Sequence, residues 1–326
     1  MFCHLSTLAR VGIIAALSLS TACTKSDEQF EVASVVDPKM DSLVSAEWLS
    51  EHLNDPDLVV LDCTVMVEQD EDGGIRTVNG RGNYEAGHIP TAAFADLMGD
   101  LADGDSPHDF AMPSPQQFVA AMEALGVGDD SRVVLYDANN SVWAARVWWM
   151  LRWIGFDQAA LLDGGLGAWT AEDRPLSTEP SNRPAGTLTA ALRPELIADR
   201  DEVLASIEDG SAHLVDSLPA GHYRGEWTMY DRPGHIPGAS NVSTTLTVDD
   251  TGRYRSIEEL AEMFQGDRDV RMITYCGGGI AASSNAFLMT RLGFTDVAVY
   301  IASLEEWTAD PSLPLEVAPE LADFGD

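Results

Sequence analysis

The chain has 326 residues, enough for two domains, and its 45% hydrophobic and 22% charged content is ordinary for a globular protein. A formal charge of −34 is not ordinary. It excludes nucleic acid, which needs a basic footprint, and electrostatic attachment to anionic lipid. An acidic, strongly solvated surface follows.

The N-terminus reads as an address. Arg10 precedes an apolar run from Val11 to Leu19, and Ser20-Thr21-Ala22 leads into Cys23. That run is too short to cross a bilayer and fits a signal peptide. Small residues directly before Cys23 resemble the bacterial lipoprotein signal. The resemblance implies removal of residues 1–22, lipidation of Cys23, and a periplasm-facing lipoprotein whose membrane contact is the lipid alone. Thr24 after the cysteine favours the outer membrane; Ser20 departs from the leucine of the pattern, and a plain secretory signal is the alternative. Residues 23–40 are polar and acidic, a flexible tether.

The body, residues 41–176, opens on a helix start at Ser45, followed by a strand over 58–62 and a glycine-rich acidic loop. Cys63, directly after that strand, reads as a structural, unpaired thiol. Gly87-His88-Ile89-Pro90 comes next, then a helix over 114–125, a strand over 132–137, a tryptophan-rich helix over 144–154 and a strand over 160–162. Gly164-Gly165-Leu166-Gly167-Ala168-Trp169 ends this half. Prolines 175, 180, 184 and 194 mark residues 177–194 as a linker. Residues 195–318 repeat the plan, and 319–326 form a tail. Helix 199–208, strand 212–216, Gly234-His235-Ile236-Pro237, helix 257–264 and strand 270–275 follow in order. Tyr275 lies 139 residues after Tyr136, and Trp307 lies 138 after Trp169. Strands alternating with helices predict α/β; a duplicated domain with two mainly parallel sheets is the fold class.

The strand 270–275 runs into Cys276-Gly277-Gly278-Gly279-Ile280-Ala281, and a helix follows. Glycines let the backbone curl several N–H groups toward one point, and a helix start adds the positive end of its dipole. A thiol there should ionise below the usual ~8.5, toward about 3.5–7.5. The homologous turn of the first half reads Asp137-Ala138-Asn139-Asn140-Ser141, so the cysteine occurs in one copy only.

The paired Gly-His-Ile-Pro motifs, Ala145-Arg146-Val147-Trp148-Trp149-Met150-Leu151-Arg152, Leu162-Asp163-Gly164-Gly165 and the cysteine-headed loop resemble the two-domain rhodaneses, the thiosulfate and 3-mercaptopyruvate sulfurtransferases. The likeness runs from about residue 43 to 307. It implies that Cys276 takes a sulfane sulfur from a small anionic donor as a persulfide and yields it to a thiol or cyanide. It also implies that the N–H groups of Gly277, Gly278, Gly279, Ile280 and Ala281 bind the persulfide, with no cofactor or metal. Thiosulfate-type members carry basic residues after the cysteine; mercaptopyruvate-type members carry Gly-Ser and a later threonine. Gly277-Gly278 and Ala281 are nearer the second type but lack its hydroxyls. The family's substrate arginines are matched by His222, with Arg224 nearby, and loosely by Arg232. A weakly catalytic or non-catalytic sulfur- or anion-binding lipoprotein is the alternative. A cysteine phosphatase is disfavoured, since the sixth residue after Cys276 is Ala282 rather than arginine.

Overall fold

The structure is a computed structural model that describes residues 40–69 and 75–317. The expected signal peptide, Cys23, the tether before Met40 and the 319–326 tail lie outside the described residues.

The first half runs β1 (Leu43–Val44), α1 (Ala46–His52), β2 (Leu58–Asp62), β3 (Val65–Gln69), β4 (Ile75–Asn79), α2 (Arg81–Ala86), β5 (Ala93–Phe94), α3 (Pro115–Ala124), β6 (Arg132–Tyr136), α4 (Val142–Trp153), β7 (Ala159–Leu162) and α5 (Gly165–Ala171). The second half runs β8 (Ile197–Ala198), α6 (Arg200–Asp209), β9 (His213–Asp216), α7 (Ala220–Tyr223), β10 (Ser240–Asn241), α8 (Ile257–Met263), β11 (Met272–Tyr275), α9 (Ile280–Arg291), β12 (Val297–Tyr300) and α10 (Ser303–Ala309). Two five-stranded sheets result, ordered β1-β7-β6-β2-β5 and β8-β12-β11-β9-β10. Every pairing within them is parallel, and the order is the same strand for strand. Central strands such as Arg132-Val133-Val134-Leu135-Tyr136 are buried throughout, which is why they read as apolar runs rather than alternations.

Helix starts follow local chemistry. Ser45, Ser114, Asp199 and Ser256 each accept an N–H from their own first turn, and Ser256 with Glu259 makes a capping box. Each such cap is worth about 1 kcal/mol. α4 is different: from Trp143 to Leu151 every residue is buried, as for a helix enclosed on all sides. It packs on α9, with Trp148 edge-on to Phe287 at 4.8 Å. These are the helices that follow the two homologous turns, so the halves meet back to back at the same structural position.

The two Gly-His-Ile-Pro motifs are anchors. His88 stacks on Tyr84 with Nδ1 2.8 Å from the Tyr84 carbonyl, and His235 stacks on Tyr223 with Nδ1 2.7 Å from the Tyr223 carbonyl. Ile89 and Ile236 donate their N–H groups to the hydroxyls of Tyr136 and Tyr275, both at 3.1 Å. Each motif is thereby tied to its central strand. Two departures from the sequence reading stand out. The acidic loop after β2 contains an antiparallel hairpin, β3 with β4, held in part by Arg76 on Glu68 at 2.7 Å. The Gly164 turn opens into a helix, α5, that the sequence reading did not assign. Between α5 and the 3-10 turn at Pro194–Leu196 the chain has no helix and a lone antiparallel bridge, Ser177 with His88, but it is not loose. Gly186 donates to the Glu123 carbonyl at 2.8 Å, Thr189 to Asp129 at 2.6 Å, and Leu188 is buried.

Candidate active site

β11 delivers Cys276 to the C-terminal edge of the second sheet, the usual ligand edge of a parallel α/β sheet. Its backbone is fixed on both sides. The Cys276 N–H donates to the Ser303 hydroxyl at 3.1 Å, and that hydroxyl donates to the Tyr300 carbonyl at 2.6 Å. Leu304 donates to the Cys276 carbonyl at 3.1 Å, and Glu305 to the Gly277 carbonyl at 3.0 Å. Ser303 adopts φ 51°, a conformation that costs an L-residue energy and is retained here where its hydroxyl is used twice. Gly279 turns the chain at φ 78°, and a Cβ there would lie 2.9 Å from the Ile301 carbonyl oxygen. Only glycine fits. The N–H groups of Gly277 to Ala282 donate to no acceptor among the described residues. The Cys276 side chain is 3% exposed and faces a cleft.

The homologous turn shows what such a set of N–H groups can hold. Asp137 Oδ1 accepts from Asn139 (2.6 Å) and Ser141 (3.0 Å), and Oδ2 accepts from Trp143 (2.9 Å) and Ala144 (2.8 Å). Burial pushes this carboxyl up, and the four N–H bonds pull it back. Moved along by the repeat of 139 residues, those donors become Gly278, Ile280, Ala282 and Ser283. One copy of the turn carries a resident anion; the other presents the same geometry to a sulfur atom.

The cleft, of about 550 Å³, is built by both halves. Phe110, Asn139 and Trp143 come from the first, and Leu218, Met229 and Tyr230 from the second. Tyr230 explains Gly277: a Cβ there would stand 1.5 Å from its hydroxyl oxygen. Burial, then the charge of Cys276, pushes the Tyr230 hydroxyl far up, so it remains a proton donor at neutral pH. The charged residues lining the cleft are acids, Asp109 and Glu305. A separate hollow of about 370 Å³, bounded by His108, Arg200 and Tyr300, does not reach Cys276.

None of the three basic residues expected at the donor lines this cleft. Arg232 donates to the carbonyls of Trp307, Thr308, Asp310 and Leu313 at 2.7–3.0 Å, clamping the exit of α10. Arg224 is surface-paired with Glu226 at 2.6 Å. His222 is buried, its ring nitrogens without partners, edge-on to Trp227 and to Tyr230, and burial pushes its pKa down. Its ring meets the cleft wall at Tyr230. Cys63 is buried and free, its thiol pushed well up by burial, so Cys63 and Cys276 form no disulfide. Sequence reasoning missed Tyr230, Ser303 and Phe110, which stand in stretches without a motif. It quoted Arg146 without assigning it a task.

Comparison with known proteins agrees with this architecture. The rhodanese-like domain matches residues 45–172 and 199–310. The 3-mercaptopyruvate sulfurtransferase of Escherichia coli K12 is 34% identical over 282 residues, covering 84% of this chain and 97% of that protein. The thiosulfate sulfurtransferase of Gallus gallus is 33% identical, covering 82% and 93% respectively. The crystal structure of SseA from Escherichia coli, a rhodanese fold acting on 3-mercaptopyruvate, superposes with a TM-score of 0.71 at 33% identity, over 80% of this chain and 98% of that one. With its duplicated sheets, its single cysteine-headed turn and these relatives, the chain belongs to the rhodanese family and is a thiosulfate/3-mercaptopyruvate sulfurtransferase.

Proposed function

We propose that Cys276 is the sulfur carrier and that 3-mercaptopyruvate is preferred over thiosulfate. The observation that carries the first statement is the Asp137 turn, in which four N–H groups hold an anion at the position homologous to Cys276. In the first half-reaction the Cys276 thiolate attacks the donor's sulfur and the donor's C–S bond breaks. The electron pair leaves as the pyruvate enolate, which takes the proton from the new persulfide. Pyruvate departs and a Cys276 persulfide anion remains. In the second, cyanide or a thiolate attacks the outer sulfur, the S–S bond breaks, and the Cys276 thiolate returns. N–H groups of the loop stabilise the negative sulfur in both steps, as an oxyanion hole would.

Donor preference follows from charge. Thiosulfate brings two negative charges into a cleft whose charged lining is Asp109 and Glu305, whereas mercaptopyruvate brings one. Each uncompensated buried charge costs several kcal/mol. Tyr230 offers a neutral donor suited to a carbonyl or carboxylate oxygen. The test is turnover of both donors by the purified protein, with intact mass after donor treatment. A gain of about 32 Da on Cys276, absent in Cys276→Ser, supports the carrier role; turnover surviving that substitution overturns it. The same lack of basic lining favours a second reading, a weakly catalytic sulfur- or anion-binding protein, which predicts donor binding without persulfide. The N-terminal pattern ending at Cys23 supports export and lipid anchoring at the outer membrane. Labelled fatty acid on the wild-type chain but not on Cys23→Ala supports that placement; none on either overturns it.

A further inference from the structure

Arg146 lies on α4, in the half without the cysteine, and its side chain is 1% exposed. Its Nη2 donates to the Phe110 carbonyl at 2.8 Å, while Nε and Nη1 are buried with no partner among the described residues. A cationic guanidinium with two unanswered nitrogens in the interior costs several kcal/mol. Such an arrangement needs a reason. Nη1 lies 3.1 Å from where a Cβ on Gly279 would stand, so the guanidinium reaches across the domain junction to the floor of the Cys276 loop. Burial pushes Arg146 down to about 10, and the charge that pulls it back is that of Cys276, not of Asp137 in its own half. The repeat sharpens the contrast. The homologous position on α9 is Asn285, whose Nδ2 is answered within its own domain by Ser217 and Val242. A cation therefore occurs on the helix that faces the nucleophile from the other domain.

We infer that Arg146 is a positioning residue for sulfur transfer: a buried cation, supplied by the catalytically silent domain, that stabilises the thiolate and persulfide of Cys276 from beneath the glycine loop. It takes the part that basic side chains beside the cysteine would otherwise play, in a loop whose Gly277 and Gly278 carry none and a cleft whose other charges are acidic. The inference rests on Cys276 being the sulfur carrier. It gives the first domain a chemical task beyond forming one wall of the cleft. Asp109 and Glu305 line the cleft beside Cys276, Tyr230 stands over Gly277, and Asp216 at the end of β9 acts on Tyr230.

The experiment measures, in the full chain, the pH dependence of Cys276 alkylation by iodoacetamide, read at the Cys276 peptide by mass spectrometry, beside kcat and KM. Arg146→Met, similar in length but uncharged, should raise the alkylation midpoint by about one pH unit or more and lower kcat roughly tenfold with KM little changed. Arg146→Lys should restore the midpoint most of the way. A midpoint unmoved in Arg146→Met, with lowered thermal stability, would reduce Arg146 to a packing role. If the methionine variant does not fold, Arg146→Gln and Arg146→Lys carry the comparison, and equal midpoints in those two overturn the inference. Failure of the carrier reading is recognised separately: the wild-type protein would then show no persulfide at Cys276, whatever the midpoints.

Discussion

Two turns, each between a buried strand and a buried helix, differ in one atom group. In the first, Asp137 fills its own ring of N–H donors with a carboxylate. In the second, Cys276 leaves the N–H groups of Gly277 to Ala282 without acceptors among the described residues. The first arrangement is complete and stable. The second is incomplete until the sulfur carries charge, so stabilisation is deferred to the reacting state, which is where it accelerates chemistry. Supports behind the turns match this division. Leu166 donates to the Asp137 carbonyl as Leu304 donates to that of Cys276. However, Gly165 approaches the first turn where the hydroxyl of Ser303 holds the second.

The largest effect should come from making the second turn like the first. Cys276→Asp is expected to abolish transfer, a loss of at least ~10³-fold, because the carboxylate cannot accept and release sulfur. The same variant should melt above Cys276→Ala, since its carboxylate accepts the free N–H groups. Differential scanning calorimetry checks this, and a lower melting point for the aspartate would show that the turns are not equivalent. Next comes the first turn itself. Asp137→Ala leaves buried N–H groups unanswered and should cost about 3 kcal/mol, read as a lower urea midpoint at unchanged slope. Little effect on that midpoint would mean that burial of the carboxylate cancels its bonds.

The duplication, both sheets and the cysteine turn were legible because they rest on short-range rules: apolar strands, glycine at forced dihedrals, and a motif repeated at a near-constant interval. The hairpin of β3 and β4 was not, because Val65-Met66-Val67 is brief and its partner strand lies beyond a glycine-rich acidic stretch. The cleft walls were hidden for another reason. Phe110 and Tyr230 reach the cleft through folding of distant segments, and no local pattern marks them; Arg146 stands within a motif, but its approach to Gly279 arises only on folding. Arg232 shows the opposite error, since a basic residue beside a motif is as able to tie down a helix exit as to hold an anion.

Smaller effects test how tightly the second turn is fitted. Gly277→Ala should lower kcat/KM about tenfold, because the new methyl must displace the Tyr230 hydroxyl. In a double-mutant cycle with Tyr230→Ala the two losses should fall short of additive, the signature of one shared clash. Additive losses would mean that the alanine disturbs the loop without touching Tyr230.

The smallest effect concerns the carboxyls beside the two turns. Asp62 and Asp216 end homologous strands, next to Tyr136 and Tyr275, and burial pushes both up; Asp216 reaches about 7. An aspartate in the unfolded chain titrates near ~3.9. Between about pH 4 and pH 7 the folded state therefore binds one proton more at Asp216 than the unfolded state, so this group's contribution to stability falls as pH rises through that window. Asp216→Asn fixes the neutral form, and its amide can still meet the Tyr275 oxygen. The variant's stability relative to wild type should improve steadily from pH 4 to pH 7 and level off above it. Urea midpoints at stepped pH measure the trend. A flat difference across the window would place the Asp216 titration outside it.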